Sequence, residues 1–190
     1  MLSDAALIVV CVLIVELFIR TFVVRLYTVP SASMQSTLRI GDTLLVSRLS
    51  AEFSTPRRDE VIVFRDPGGW IAPDDPHESG LDAAAVKALV VLGLIPPSSD
   101  LVKRVIGLPG DTVQCDADGR FTVNGAIVSE TYLYPGDRSC YLPFRVTIPT
   151  GCLWVEGDHR SDSADSRYHR GVDDGAVPIA DVIGSVIAVG

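Results

Sequence analysis

The chain has 190 residues, a length that suits one domain plus an appendage. Hydrophobic residues make up 47%, enough for both a core and a membrane segment, and the formal net charge is -8. That balance argues against a nucleic-acid binder, which would carry a basic stripe, and the interspersed charges read as a solvated surface.

The first predicted element is apolar. Ala5–Val15 is an unbroken hydrophobic run, interrupted by Glu16 and Arg20. Those two charges stand four apart on one helical face, where an acid can pair with a following base. With that pair accommodated, the segment approaches the ~20 residues that cross a bilayer. We therefore expect an uncleaved transmembrane helix in residues 1–25. A cleaved signal peptide is the alternative. Against it, no Lys or Arg precedes the run and two charges lie inside it. Asp4 lies before the segment, with Arg20 and Arg25 at its far end, so the positive-inside tendency alone would leave the rest of the chain in the cytoplasm.

Residues 29–42, VPSASMQSTLRIGD, follow directly. Ser31-Ala32-Ser33 reads either as this chain's own processing site, with small residues two apart, or as a turn holding a nucleophilic serine at a membrane surface.

Strand signals dominate from there. Thr43–Val46 is short and apolar, and Glu60–Phe64 is β-branched and aromatic. Val102–Ile106 runs into a turn at Gly107 and Pro109-Gly110. Phe121–Val123 and Ala126–Val128 flank Asn124-Gly125, a hairpin dipeptide. Arg145–Ile148, Cys152–Val155 and Val182–Val189 complete the set, the last too short to span a membrane. Residues 66–80 read as a loop and 81–95 as a short helix ended by Pro96-Pro97. The expected architecture is mainly β, over residues 26–190, with a helical insertion at 66–100.

Cys11 sits in the apolar segment; Cys115, Cys140 and Cys152 follow without CxxC or metal-ligand spacing. A Cys115–Cys140 disulfide, if the domain lies outside the cell, and three unpaired thiols are both open readings.

A serine nucleophile needs a base. His77, His159 and His169 are available, but nothing in their spacing requires a triad. Lysine is the other option, and the chain has only Lys87 and Lys103. Lys103 lies inside an apolar strand, with Arg104 pointing to the other face. Burial disfavours the charged form of lysine and readies it to accept a proton. The polar run 157–167, GDHRSDSADSR, reads as an exposed loop or as a hydrogen-bonded platform orienting that base. It lacks the order of a calcium loop.

PSASM at 30–34, RRDEVIVF at 57–64, KRVIGLPGD at 103–111 and GDHRSDSADSR at 157–167 occur in this order. Together they resemble the motif boxes of bacterial type I signal peptidases. The insertion and the GDHR form resemble the actinobacterial branch. The resemblance implies a signal-peptidase-type catalytic β domain, facing outward from one N-terminal transmembrane helix, which overrides the charge-bias reading. It implies a serine endopeptidase that removes signal peptides after small residues at −1 and −3, through an acyl-enzyme. Ser33 corresponds to the nucleophile and Lys103 to the general base. Ser31 corresponds to an oxyanion donor, beside the backbone N–H of Ser33. Ser163 matches the serine that hydrogen-bonds the base, Asp165 and Arg167 a supporting ion pair, and Asp158 a structural acid. The implied pocket walls are Val29, Met34, Leu38, Leu44, Leu101 and Val102. The implied partners are secreted precursor proteins and a lipid membrane, with no nucleic acid, no metal and no cofactor. Two residues depart from the pattern: Ala32 stands where glycine is frequent. Glu156 replaces an apolar residue, either altering a substrate pocket or facing solvent. A self-cleaving Ser–Lys repressor lacks a matching DNA-binding domain here. An inactive peptide-binding β module would not need Ser33 and Lys103 together.

Overall fold

The computed structural model describes residues 7–12, 14–15, 23–71, 100–171 and 173–190. Residues 7–12 and 14–15 are helical, and Leu7, Ile8, Val9, Val10, Val12, Ile14 and Val15 are all exposed. The rest of the expected span before residue 23 lies outside the described residues, and among those described no helix is long and apolar enough to cross a membrane. The expected helix at 81–95 and most of the expected loop also lie outside them.

Eleven strands are described: β1 (Val24–Thr28), β2 (Thr43–Ser47), β3 (Val61–Arg65), β4 (Asp100–Gly107), β5 (Thr112–Cys115), β6 (Phe121–Val123), β7 (Ala126–Ile127), β8 (Phe144–Thr147), β9 (Cys152–Glu156), β10 (Val177–Pro178) and β11 (Val182–Val189). The mainly β expectation holds. Seven strands form one sheet in the order β1-β2-β11-β3-β4-β9-β10, and four form another in the order β7-β6-β5-β8. All pairings are antiparallel.

Local chemistry explains the elements. β3 lies inside the large sheet, and its Ile62, Val63 and Phe64 are all buried, so it reads as a continuous apolar run. β8 alternates instead, with Phe144 and Val146 inward and Arg145 and Thr147 outward. Asn124 and Gly125 both have positive φ, as a two-residue hairpin turn between β6 and β7 demands. β1, β5, β10 and the short helix Leu49–Phe53 lacked a strong signal and were not anticipated.

The core divides into three clusters. One fills the space around the small sheet and Trp154. A second joins Tyr27, Val29, Met34, Leu38, Leu44 and Val46. A third surrounds Ile62, Phe64 and Val155. Cys115 of β5 is disulfide-bonded to Cys140, which decides between the two cysteine readings; Cys11 and Cys152 are free.

Candidate active site

The chain leaves β1 and tightens into a 3-10 turn, Ala32–Met34, which buries Ser33 and Met34. β4 pairs with β3 in a register that sets Lys103 opposite Ile62 and Arg104 opposite Val61. Seventy residues apart in sequence, Ser33 and Lys103 meet: the Lys103 Nζ donates to Ser33 Oγ at 2.7 Å. Ser33 is 8% exposed and Lys103 3%. Burial lowers the Lys103 ammonium from its ordinary 10.5 to about 8. Asp165 opposes that shift, Arg167 adds to it, and Asp158 and Asp162 oppose it. Ser31 Oγ lies 3.3 Å from Ser33 Oγ.

Residues 157–167 form the platform beneath this pair. The His159 N–H donates to the Ser33 carbonyl at 3.1 Å, tying the turn down. The Gly157 N–H donates to Asp165 Oδ2 at 3.0 Å, and the Ser163 hydroxyl donates to the same oxygen at 2.7 Å. Arg167 grips both Asp165 oxygens, Nε on Oδ1 at 2.9 Å and Nη2 on Oδ2 at 2.7 Å. Burial pushes the Asp165 carboxyl up, but Arg167, Gly157 and Ser163 together hold it below the usual carboxylate range. A side chain at Gly157 would overlap both Ser163 Oγ and the Ser33 carbonyl oxygen, so this approach requires glycine. Asp158 takes Arg104 in a fork, Nε on Oδ1 at 2.8 Å and Nη2 on Oδ2 at 2.6 Å.

The Ser163 hydroxyl, expected beside the base, donates to Asp165. The expectations for Glu156 and for Leu38 and Leu44 need correction. Glu156 neither faces solvent nor lines a pocket. It is fully buried, 3.0 Å from Arg160 and 3.7 Å from Arg167, and accepts from Trp154 Nε1 at 2.8 Å. Burial pushes its carboxyl up to about 7 against the pull of the two arginines. Arg160 also holds Glu130, the Ser139 carbonyl and the Gly157 carbonyl, so a buried charge island stitches residues 130–139 to the platform.

An open cleft beside Ser33 and Lys103 is lined by Val29, Pro30, Ser31, Met34, Asp100, Leu101 and Val102. Leu38 and Leu44 do not line it. They sit behind it in the core, 1% and 0% exposed, because Leu44 is on the inward face of β2. No histidine ring bonds Ser33 among the described residues. His159 stacks on Tyr134, and His169 stacks on Trp70 with Nδ1 2.9 Å from the Asp165 carbonyl. His77 lies outside the described residues. Sequence reasoning missed Asp100, Gly157, Arg160 and Glu130. An acid three residues ahead of the KR box was the available signal for Asp100.

A buried hydroxyl touching a buried, weakened ammonium next to an open apolar cleft is equipped for nucleophilic attack on an extended chain. A family model described as "Signal peptidase, peptidase S26" matches residues 2–189. Signal peptidase I of Mycobacterium tuberculosis (strain H37Rv) is 40% identical over 206 residues, covering 96% of this chain and 70% of that protein. The probable signal peptidase I of Mycobacterium leprae is 39% identical over 199 residues, covering 89% and 69%. A crystal structure of a signal peptidase I from Enterococcus faecalis aligns over 70% of this chain and 98% of its own, at 25% identity and a TM-score of 0.45.

Proposed function

This chain belongs to the peptidase S26 signal peptidases, as an actinobacterial-like type I serine endopeptidase, and we propose that it cuts secreted precursors with Ser33 as nucleophile and Lys103 as general base. The observation that carries the assignment is the buried 2.7 Å contact between Lys103 Nζ and Ser33 Oγ.

Neutral Lys103 takes the Ser33 proton as Oγ attacks the scissile carbonyl carbon. The developing oxyanion accepts from the Ser31 hydroxyl and the Ser33 backbone N–H. Lys103 then gives its proton to the leaving amine, and the acyl group remains on Ser33. A water, deprotonated by Lys103, releases it. Asp165, fixed by Arg167, supports the platform that holds Ser33; Ser163 braces Asp165, and Asp158 ties the platform to Arg104 of β4. The precursor lies extended along the cleft, and Val29, Met34, Leu101 and Val102 restrict the −1 and −3 side chains to small ones.

In this reading residues 1–25 anchor the enzyme in a membrane, and residues 26–190 work on its outer side. Support comes from the exposed apolar helical residues at 7–12 and 14–15 and from the Cys115–Cys140 disulfide, a bond of oxidising compartments. The eight-residue step from Arg25 to Ser33 keeps the nucleophile near the lipid, where a signal peptide's apolar segment ends.

The test is cleavage of a precursor bearing an Ala-x-Ala site by full-length protein in detergent. Wild type should cut after the second Ala. Ser33→Ala and Lys103→Ala should each lower the rate by about 10⁴ or more. Cleavage by both variants at the wild-type rate would overturn the residue assignment.

A further inference from the structure

Glu156 ends β9 with its carboxylate fully buried. Trp154 of the same strand donates to Oε1 at 2.8 Å. Oε2 lies 3.0 Å from Arg160 Nη1 and 3.7 Å from Arg167 Nε, yet neither guanidinium makes a hydrogen bond to it. Through that oxygen Glu156 acts on the two arginines by charge alone. On β4 it pairs with Arg104, which Asp158 already holds. Beyond Arg160 lies Glu130, which accepts from the Tyr132 hydroxyl at 3.2 Å. Beyond Arg167 lies Asp165. The charges of Asp165, Asp158 and Asp162 favour the Lys103 ammonium, and that of Arg167 opposes it.

Charge balance across this interior gives Glu156 a use. With Arg104 and Asp158 compensating each other, the buried cations Lys103, Arg160 and Arg167 stand against the acids Glu130, Glu156 and Asp165. A neutral Lys103, the form a general base requires, leaves one acid in excess. Excess negative charge in a buried site draws the proton back onto the lysine. Glu130 and Asp165 are both held by guanidinium hydrogen bonds, whereas Glu156 Oε2 is not. Glu156 is therefore the acid best placed to take up a proton, in keeping with a carboxyl pushed up to about 7 by burial. Resting on the reading of Lys103 as the base, we propose that Glu156 is a positioning residue acting through Arg167: ionised, it offsets the Arg167 charge and keeps Lys103 protonated to higher pH; protonated, it leaves Arg167 free to favour the neutral base.

The test is the pH profile of kcat/KM for precursor cleavage by full-length enzyme in detergent, each profile scaled to its own plateau. Glu156→Gln keeps an acceptor for Trp154 and removes the charge. Its acid limb should follow a single titrating group, with a midpoint about 0.5–1 pH unit below that of wild type. The wild-type limb should be broader, because two coupled groups titrate across it. The two profiles should merge below about pH 6, where Glu156 already carries its proton. Glu156→Asp, which restores the charge, should move the midpoint back towards wild type. A merely structural loss would lower the plateau and leave the midpoint in place. Scaled profiles of wild type and Glu156→Gln that superimpose would overturn the inference and leave the reaction standing. If Glu156→Gln does not fold, the wild-type curve decides: a broadened limb supports the inference, and one as sharp as a single group overturns it. Cleavage by Lys103→Ala at the wild-type rate would overturn the reading of the base itself, and the inference with it.

Discussion

Lys103 and Arg104 are neighbours on β4, both buried, with opposite surroundings. Arg104 forks onto Asp158, donates to the Asp59 carbonyl and to Thr37, and lies 4.1 Å from the centre of the Tyr132 ring. Burial opposes its charge, but Asp158 overrides it and the guanidinium is held above its ordinary range. Lys103 meets one hydroxyl, and burial wins. Strand alternation puts the two on different faces of the sheet, so one step along the chain separates a cation kept for structure from one weakened for chemistry. Burial sets the cost at both positions; the presence of a contacting carboxylate sets the sign of the outcome.

The largest test of this contrast is Lys103→Arg. A guanidinium stays charged and cannot accept the Ser33 proton, so precursor cleavage should fall by about 10⁴ or more. Next comes Arg104→Met, which leaves the fully buried Asp158 without its partner. It should cost about 3–5 kcal/mol in urea unfolding. On the platform side, Cys140→Ser opens the link to Cys115, a sequence separation of 25 residues, and should cost about 3 kcal/mol by the same measurement. The smallest effect has the opposite sign. Lys103→Met should stabilise the protein by about 2 kcal/mol at pH 7, because the wild-type site weakens its own charged state. The folded group at about 8 lies below its ordinary 10.5, so between those values the unfolded chain binds more protons and wild-type stability rises with pH. The advantage of Lys103→Met should be full below pH 8 and fade towards pH 10.5. A difference that does not change over that window would contradict the burial account.

The contrast was partly legible in the sequence. An isolated lysine among Leu101, Val102, Val105 and Ile106 already marks a costly burial, and strand parity already sends Arg104 the other way. The strands rich in β-branched residues and the Asn124-Gly125 hairpin were equally readable, since their signals are local. What escaped depends on partners far along the chain. Asp100 looks like the polar start of a strand until Tyr27, 73 residues away, is placed across from it. Glu156 looks like an exposed oddity until Arg160 and Arg167 fold back over it. Leu38 and Leu44 are apolar and close in sequence to Ser33, but the inward face of β2 claims Leu44 for the core. Gly157 gives no sign of its role, because the need for glycine arises only when the Ser33 carbonyl approaches it.

The most direct test of the central claim is the pH dependence of kcat/KM for precursor cleavage by full-length enzyme. If Lys103, lowered by burial, must be neutral to act, the rate should climb about tenfold per pH unit at low pH and level off near pH 8. A rate that stays flat from pH 6 to 9 would contradict it.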